Sequence, residues 1–121
     1  MPFLNLNLQL KTPSDLASWL TNIGSPTWEV VGSTYHNTYV PKLEDWRGAV
    51  TMDGMASHYE NTLGWDRGPH LFIAKGAPNP DHDGIWVMTS PKFYGIHAGM
   101  CNGSDTTPGR FGVEVVGDYN T

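Results

Sequence analysis

The sequence predicts an α/β fold in which helices pack on a central mixed β-sheet, and two observations carry this prediction. Apolar residues recur at helical spacing near 13–23 and 54–63, and capping residues bound each segment. β-branched and aromatic residues dominate four further segments, which we interpret as strands at roughly 28–36, 69–75, 84–88 and 111–117. Strands that alternate with helices and then form a hairpin are typical of mixed α/β and α+β domains.

Local capping signals mark the first helix. Residues 5–10 alternate Asn or Gln with Leu and are expected to form a short strand or an extended arm. Thr12 is the expected N-cap and Pro13 the first helical residue, because the Thr side chain can accept a backbone hydrogen bond and Pro lacks an N–H that would be unsatisfied there. Gly24 is expected to end the helix as its C-cap.

The second helix and the hairpin follow the first predicted strand. Asp53 is expected to cap the helix and Gly64 to end it. Its apolar face is expected to contain Met55, Tyr59 and Leu63. The strands at 69–75 and 84–88 enclose a loop rich in Pro and Asp, and we expect them to pair.

The last strand carries a single carboxylate among apolar residues. Alternation puts Gly112, Glu114 and Val116 on one face, and Phe111, Val113 and Val115 on the other. Apolar neighbours raise the pKa of a carboxyl group towards the range that suits a general base. The alternative is a solvent-facing Glu114 on a sheet that is covered on one side only.

Composition narrows the classes of function. The 121 residues are expected to form one domain, and a formal net charge of −5 argues against nucleic acid as a partner. Cys101 is the only cysteine, so no intramolecular disulfide can form. Neither a signal peptide nor a run of about 18 apolar residues is evident, so we expect synthesis in the cytoplasm and no membrane association.

Three histidines lie at predicted strand ends or in a neighbouring loop. His36 ends a strand, His70 opens another, and His97 lies between glycines before the Glu114 strand. Histidines that converge on one edge of a sheet can form a metal site or an acid–base site. His97 and Cys101 also have a spacing that zinc could use, although Cys101 could equally be a small buried hydrophobic residue. The other two histidines are expected at the surface: His58 and His82.

Five short motifs, taken in order, resemble a known family. They are Tyr-His-Asn-Thr at 35–38, Gly-Pro-His-Leu-Phe-Ile at 68–73, Gly-Ile-Trp at 84–86, Gly-Ile-His-Ala-Gly at 95–99 and Gly-Val-Glu-Val-Val-Gly-Asp-Tyr at 112–119. Together they resemble the zinc-dependent N-acetylmuramoyl-L-alanine amidases of the peptidoglycan-recognition-protein and phage-endolysin superfamily, over residues 12–121. The resemblance implies a zinc site in a groove on the sheet, and cleavage of the amide between N-acetylmuramic acid and L-alanine in peptidoglycan.

The resemblance also implies roles for particular residues. His36 matches the first zinc ligand, and Glu114 matches the carboxylate that activates water in many members. His70 and His97 match groove positions, where we expect substrate contact or support of the site. The family's other two ligands, a His and a Cys or Asp, come from a segment after the Glu strand. The amidase-like domain is therefore expected to be incomplete at its C-terminus, and residues 1–121 to bind Zn²⁺ weakly or not at all.

Two alternatives stay open at this point. A non-catalytic peptidoglycan-binding module of the same fold could use Trp46, Trp65 and Trp86 to stack on sugar rings, although each Trp could instead pack in the core. An unrelated small α/β protein could carry its histidines incidentally. Peptidoglycan is the expected partner under the first two interpretations, and the protein would reach the cell wall after release or lysis. The sequence leaves the oligomeric state open.

Overall fold

The computed structural model describes residues 3–119 and contains a five-stranded sheet with two α-helices. The strands are β1 (Leu8–Leu10), β2 (Val30–Asn37), β3 (Leu71–Ala74), β4 (Gly84–Val87) and β5 (Gly109–Val115). The helices are α1 (Pro13–Ile23) and α2 (Ala49–Asn61). The predicted α/β fold class, with a mixed sheet and helices, is confirmed.

The sheet has the strand order β1-β4-β3-β5-β2. β4 pairs antiparallel with both β1 and β3, so the predicted hairpin is present. β5 runs parallel to both β3 and β2 and lies between them. Side chains of β5 therefore neighbour two strands at once, which places Glu114 inside the sheet rather than at its edge.

Helix α1 has the bounds that its local signals predict. The Thr12 side chain accepts a hydrogen bond from the Asp15 N–H at 3.1 Å, and the Asp15 carboxylate accepts one from the Thr12 N–H at 3.2 Å. This capping box satisfies two backbone donors that have no partner inside the helix. Gly24 follows the helix with φ of 84°, a conformation that favours glycine. None of the residues of α1 is fully buried.

Helix α2 begins at Ala49 rather than near Gly54, and the prediction that Asp53 caps it is wrong. Asp53 lies within the helix, where its carboxylate accepts hydrogen bonds from the side-chain amides of Asn5 and Asn7. The helix extends further towards its N-terminus because Met52 and Ala56 are buried against the sheet. It ends at Asn61, before the predicted Gly64, and Leu63 is exposed.

The core lies between α2 and the sheet face formed by β3 and β4. It consists of Trp46, Met52, Ala56, Phe72, Ala74, Ala77, Trp86, Met88 and Val116. The indole N–H groups of Trp46 and Trp86 both donate to the His82 carbonyl, each at 2.9 Å. The side chain of His82 is half-buried, so the predicted surface position holds only in part.

Within residues 3–119, neither helix combines the length and the apolar character that crossing a membrane requires.

Candidate functional site

His36 and Glu114 lie side by side on β2 and β5. They are register partners in the parallel pair, so their side chains leave the sheet on the same face. A groove of about 230 Å³ opens there, and its lining includes His36, Thr38, Met55, Tyr59, His97 and Glu114. The structure thus places His36, His97 and Glu114 together, as expected from the sequence, and their chemical roles stay predictions.

Burial raises the pKa of Glu114 from 4.5 to about 7. A carboxyl group with a pKa in this range can both accept and return a proton at neutral pH. Burial, together with the charge of Glu114, raises the pKa of the Tyr59 hydroxyl well above its ordinary value. Tyr59 therefore stays protonated and offers the groove a hydrogen-bond donor.

The loop that carries His97 is anchored at both its backbone and its ring. The backbone N–H groups of His97 and Ala98 donate to the Asn102 side-chain carbonyl at 2.7 and 2.8 Å. The imidazole Nε2 lies 2.9 Å from the Arg110 carbonyl oxygen. Burial lowers the pKa of His97, the Arg110 hydrogen bond raises it, and nearby His36 lowers it; the net direction is down.

His70 does not line the groove in which the resemblance places it. Of its two expected roles, substrate contact and support of the site, this position favours support. Its side chain is fully buried. Nδ1 accepts from the Gly112 N–H at 3.0 Å, and Nε2 lies 2.8 Å from the Phe93 carbonyl oxygen. Both ring nitrogens are thus engaged by backbone, because the loop before His97 and strand β5 close over the ring. The His70 ring thereby connects β5 to the loop that contains Phe93.

Two of the three tryptophans expected to stack on sugars are core residues. Trp46 is fully buried and Trp86 is 4% exposed, so neither can present its ring to a polysaccharide. They pack edge-to-face on each other with ring centroids 6.1 Å apart. Trp65 is half-buried, and its ring stacks on that of the groove residue Tyr59 with centroids 5.0 Å apart. These contacts argue against a carbohydrate-binding module built on the three rings.

The side chains fit the implied zinc site only in part. Catalytic zinc is held by three protein ligands and keeps one position for water. In the part of the chain that the structure describes, no group of three or more His, Cys, Asp or Glu side chains could hold a metal ion. Cys101 is exposed and does not line the groove, so pairing of its thiol with His97 is not supported. We therefore derive no chemical step through zinc.

Sequence reasoning missed five groove residues: Asn37, Thr38, Val40, Met55 and Tyr59. Met55 and Tyr59 were predicted to face the core, and they do pack at its margin. Their spacing of four residues places both on the side of α2 that overhangs His36 and Glu114. The helical spacing could have identified them as neighbours of each other, but only the docking of α2 onto the sheet makes them part of the groove.

No protein-family model, no curated protein and no solved structure matches this chain.

Proposed function

We propose that the protein is a peptidoglycan amidase that cleaves the bond between the lactyl group of N-acetylmuramic acid and L-alanine. The observation that supports this proposal best is the pairing of His36 with Glu114 on one sheet face, inside a groove. The five ordered motifs supply the substrate class, and Zn²⁺ is the proposed cofactor of a site with a full ligand set.

Glu114 is the proposed general base. A water molecule attacks the carbonyl carbon of the amide while the Glu114 carboxylate takes one of its protons. The C–N bond then breaks, and Glu114 returns the proton to the leaving nitrogen of L-alanine. One water is consumed, and the products are a lactyl carboxyl group and a free amine.

The groove supplies two further requirements of the reaction. Tyr59 stays protonated, so its hydroxyl can donate a hydrogen bond to a substrate oxygen. The buried edge of the groove limits bulk water around Glu114, which is the cause of its raised pKa. Because only the ionised carboxylate accepts a proton, activity is expected to rise with pH through about 7.

The test is amine release from muramyl peptides. Purified protein is incubated with soluble N-acetylmuramoyl-peptides and added Zn²⁺, and new L-alanine amino termini are quantified by mass spectrometry. We expect slow turnover, because the described residues offer no three-ligand zinc site. Glu114→Gln should reduce the rate by about 10²-fold or more, as expected for removal of a general base.

Exposed Glu29 provides a matched control, since Glu29→Gln makes the same chemical change outside the groove. It should leave the rate unchanged. Absence of amine release by the unmodified protein over the whole range of Zn²⁺ concentrations would overturn the proposed function. Full activity in Glu114→Gln would refute only the assignment of Glu114 as the general base and would leave the amidase proposal standing.

A further inference from the structure

A second cavity lies outside the Glu114 groove and has a different chemistry. Its volume is about 620 Å³, against about 230 Å³ for the groove, and the two share no lining residue. Cavities of this size are typical of sites that bind small ligands. Its walls come from segments that connect the strands and helices, and its lining includes Leu4, Leu6, Arg67, Thr89, Phe93 and Asp105.

The apolar wall of this cavity is exposed. The exposed fraction is 68% for Leu4, 38% for Leu6 and 46% for Phe93. A group of apolar side chains that is rimmed by polar residues is typical of an interaction site, whereas single exposed apolar residues are common anywhere on a protein. An apolar group of a ligand could cover this wall.

Hydrogen bonds hold the backbone around the cavity. The Leu6 N–H donates to the Met88 carbonyl at 2.9 Å. The N–H and the hydroxyl of Thr27 both donate to the Lys92 carbonyl, at 2.9 and 3.0 Å. The N-terminal arm and the segment beside Phe93 are therefore ordered before a ligand arrives, which lowers the entropic cost of binding.

The charged groups at the cavity include one carboxylate without a counter-charge. Arg67 Nε lies 3.2 Å from the Asp66 carboxylate, and the Arg67 guanidinium also lies 4.1 Å from the centre of the Tyr94 ring. Asp105 is exposed and has neither an ion pair nor a hydrogen bond within residues 3–119. Since Asp66 and Arg67 neutralise each other, Asp105 makes the lining negative, and the lining favours a cationic ligand.

Thr89 adds a buried hydrogen-bond donor to the same cavity. Its side chain is 6% exposed, and its oxygen accepts from the Gly68 N–H at 3.0 Å. The hydroxyl hydrogen has no acceptor in the part of the chain that the structure describes. Buried polar groups are nearly always satisfied, and a hydroxyl hydrogen can rotate towards an acceptor. The Thr89 hydroxyl can therefore donate to a carbonyl oxygen of a ligand.

We propose that this cavity binds the free amino terminus of a peptide whose first side chain is apolar. The α-ammonium group pairs with Asp105, the side chain packs on Leu6 and Phe93, and the first carbonyl oxygen accepts from Thr89. An amino-terminal residue carries a cation, an apolar group and a carbonyl acceptor within a few bonds of one another, which matches the three kinds of group at the cavity. The inference goes beyond the proposed function and does not depend on it.

The probe is the peptide Phe-Gly-Gly-amide, and its N-acetylated form is the matched control without the positive charge. Backbone ¹H–¹⁵N spectra are recorded during titration at pH 6.5, where the free α-amino group is mostly protonated. The free peptide should shift the amides of Leu6, Phe93 and Asp105 and leave those of His36 and Glu114 unchanged. The acetylated peptide should bind at least twofold more weakly, and added salt should reduce this difference.

Variants separate the charge from the apolar contact. Asp105→Asn should weaken binding of the free peptide by about two- to fivefold, the range of an exposed ion pair, and leave binding of the acetylated peptide unchanged. Asp81→Asn makes the same change at an exposed carboxylate that does not line the cavity and should affect neither peptide. Phe93→Ala removes apolar contact and should weaken binding of both peptides by about fivefold or more.

Three results would each overturn the inference. The first is the absence of amide shifts with millimolar free peptide. The second is equal affinity for the free and the acetylated peptide, or an equal loss of both affinities in Asp105→Asn. The third is a set of shifts confined to the Glu114 groove, since that result would place the peptide in the other cavity.

Discussion

Acidification is expected to destabilise the protein through His70. Burial is the main cause that lowers the pKa of His70 from 6.5 to about 4. Between these two values the unfolded chain binds a proton that the folded protein does not, so stability is lost as the pH falls. At about 1.36 kcal/mol per pH unit, the loss is about 2 kcal/mol by pH 5 and about 3 kcal/mol by pH 4.

Glu114 acts in the opposite direction over nearly the same range. Its pKa is raised in the folded protein from 4.5 to about 7, so its contribution to stability is present at low pH and is lost as the pH rises through about 7. The effects of His70 and Glu114 on the pH dependence of stability therefore partly cancel in the unmodified protein. A comparison of variants is therefore needed to separate them.

The assay is urea unfolding followed by tryptophan fluorescence at pH 7 and pH 5. His70→Gln removes the titrating group. The decrease in the free energy of unfolding between pH 7 and pH 5 should therefore be about 2 kcal/mol smaller in this variant than in the unmodified protein, whatever the stability of the variant at pH 7. His58→Gln removes an exposed histidine and should leave the loss unchanged. An identical pH dependence in His70→Gln and the unmodified protein would show that the buried neutral imidazole is not the cause.

Two further predictions concern Glu114 and the tryptophans. Glu114→Gln should stabilise the metal-free protein above pH 7, because it removes a partly buried charge, and should make no difference to stability below about pH 4.5. Thermal melts at the two pH values check this prediction. A stabilisation that is equal at both pH values would contradict it. Trp46→Ala should lower the free energy of unfolding in urea by about 3–5 kcal/mol, as is usual for a fully buried aromatic ring. Trp65→Ala should lower it clearly less, because Trp65 is only half-buried. Equal losses in the two variants would be inconsistent with the burial of Trp46.

The sequence determined those features that depend on neighbours along the chain. Helix α1 begins at Pro13 after the Thr12 cap and ends before Gly24, because its capping contacts span three residues. The alternation along β5 put Glu114 on the opposite face from Val113, and the structure agrees, because side chains of a strand alternate whatever it packs against.

The tertiary structure decided whatever depends on residues far apart in the chain. Asp53 carries a capping signal, yet burial of Met52 extends α2 past it. From the sequence, the polar ring of His70 is expected in a groove. In the structure, Phe93 and Gly112 from distant segments supply both of its hydrogen bonds. The position of the His97 ring likewise depends on the contact of its Nε2 with the Arg110 carbonyl oxygen. Local signals act over three or four residues, whereas burial and hydrogen-bond satisfaction are set by packing across the whole chain.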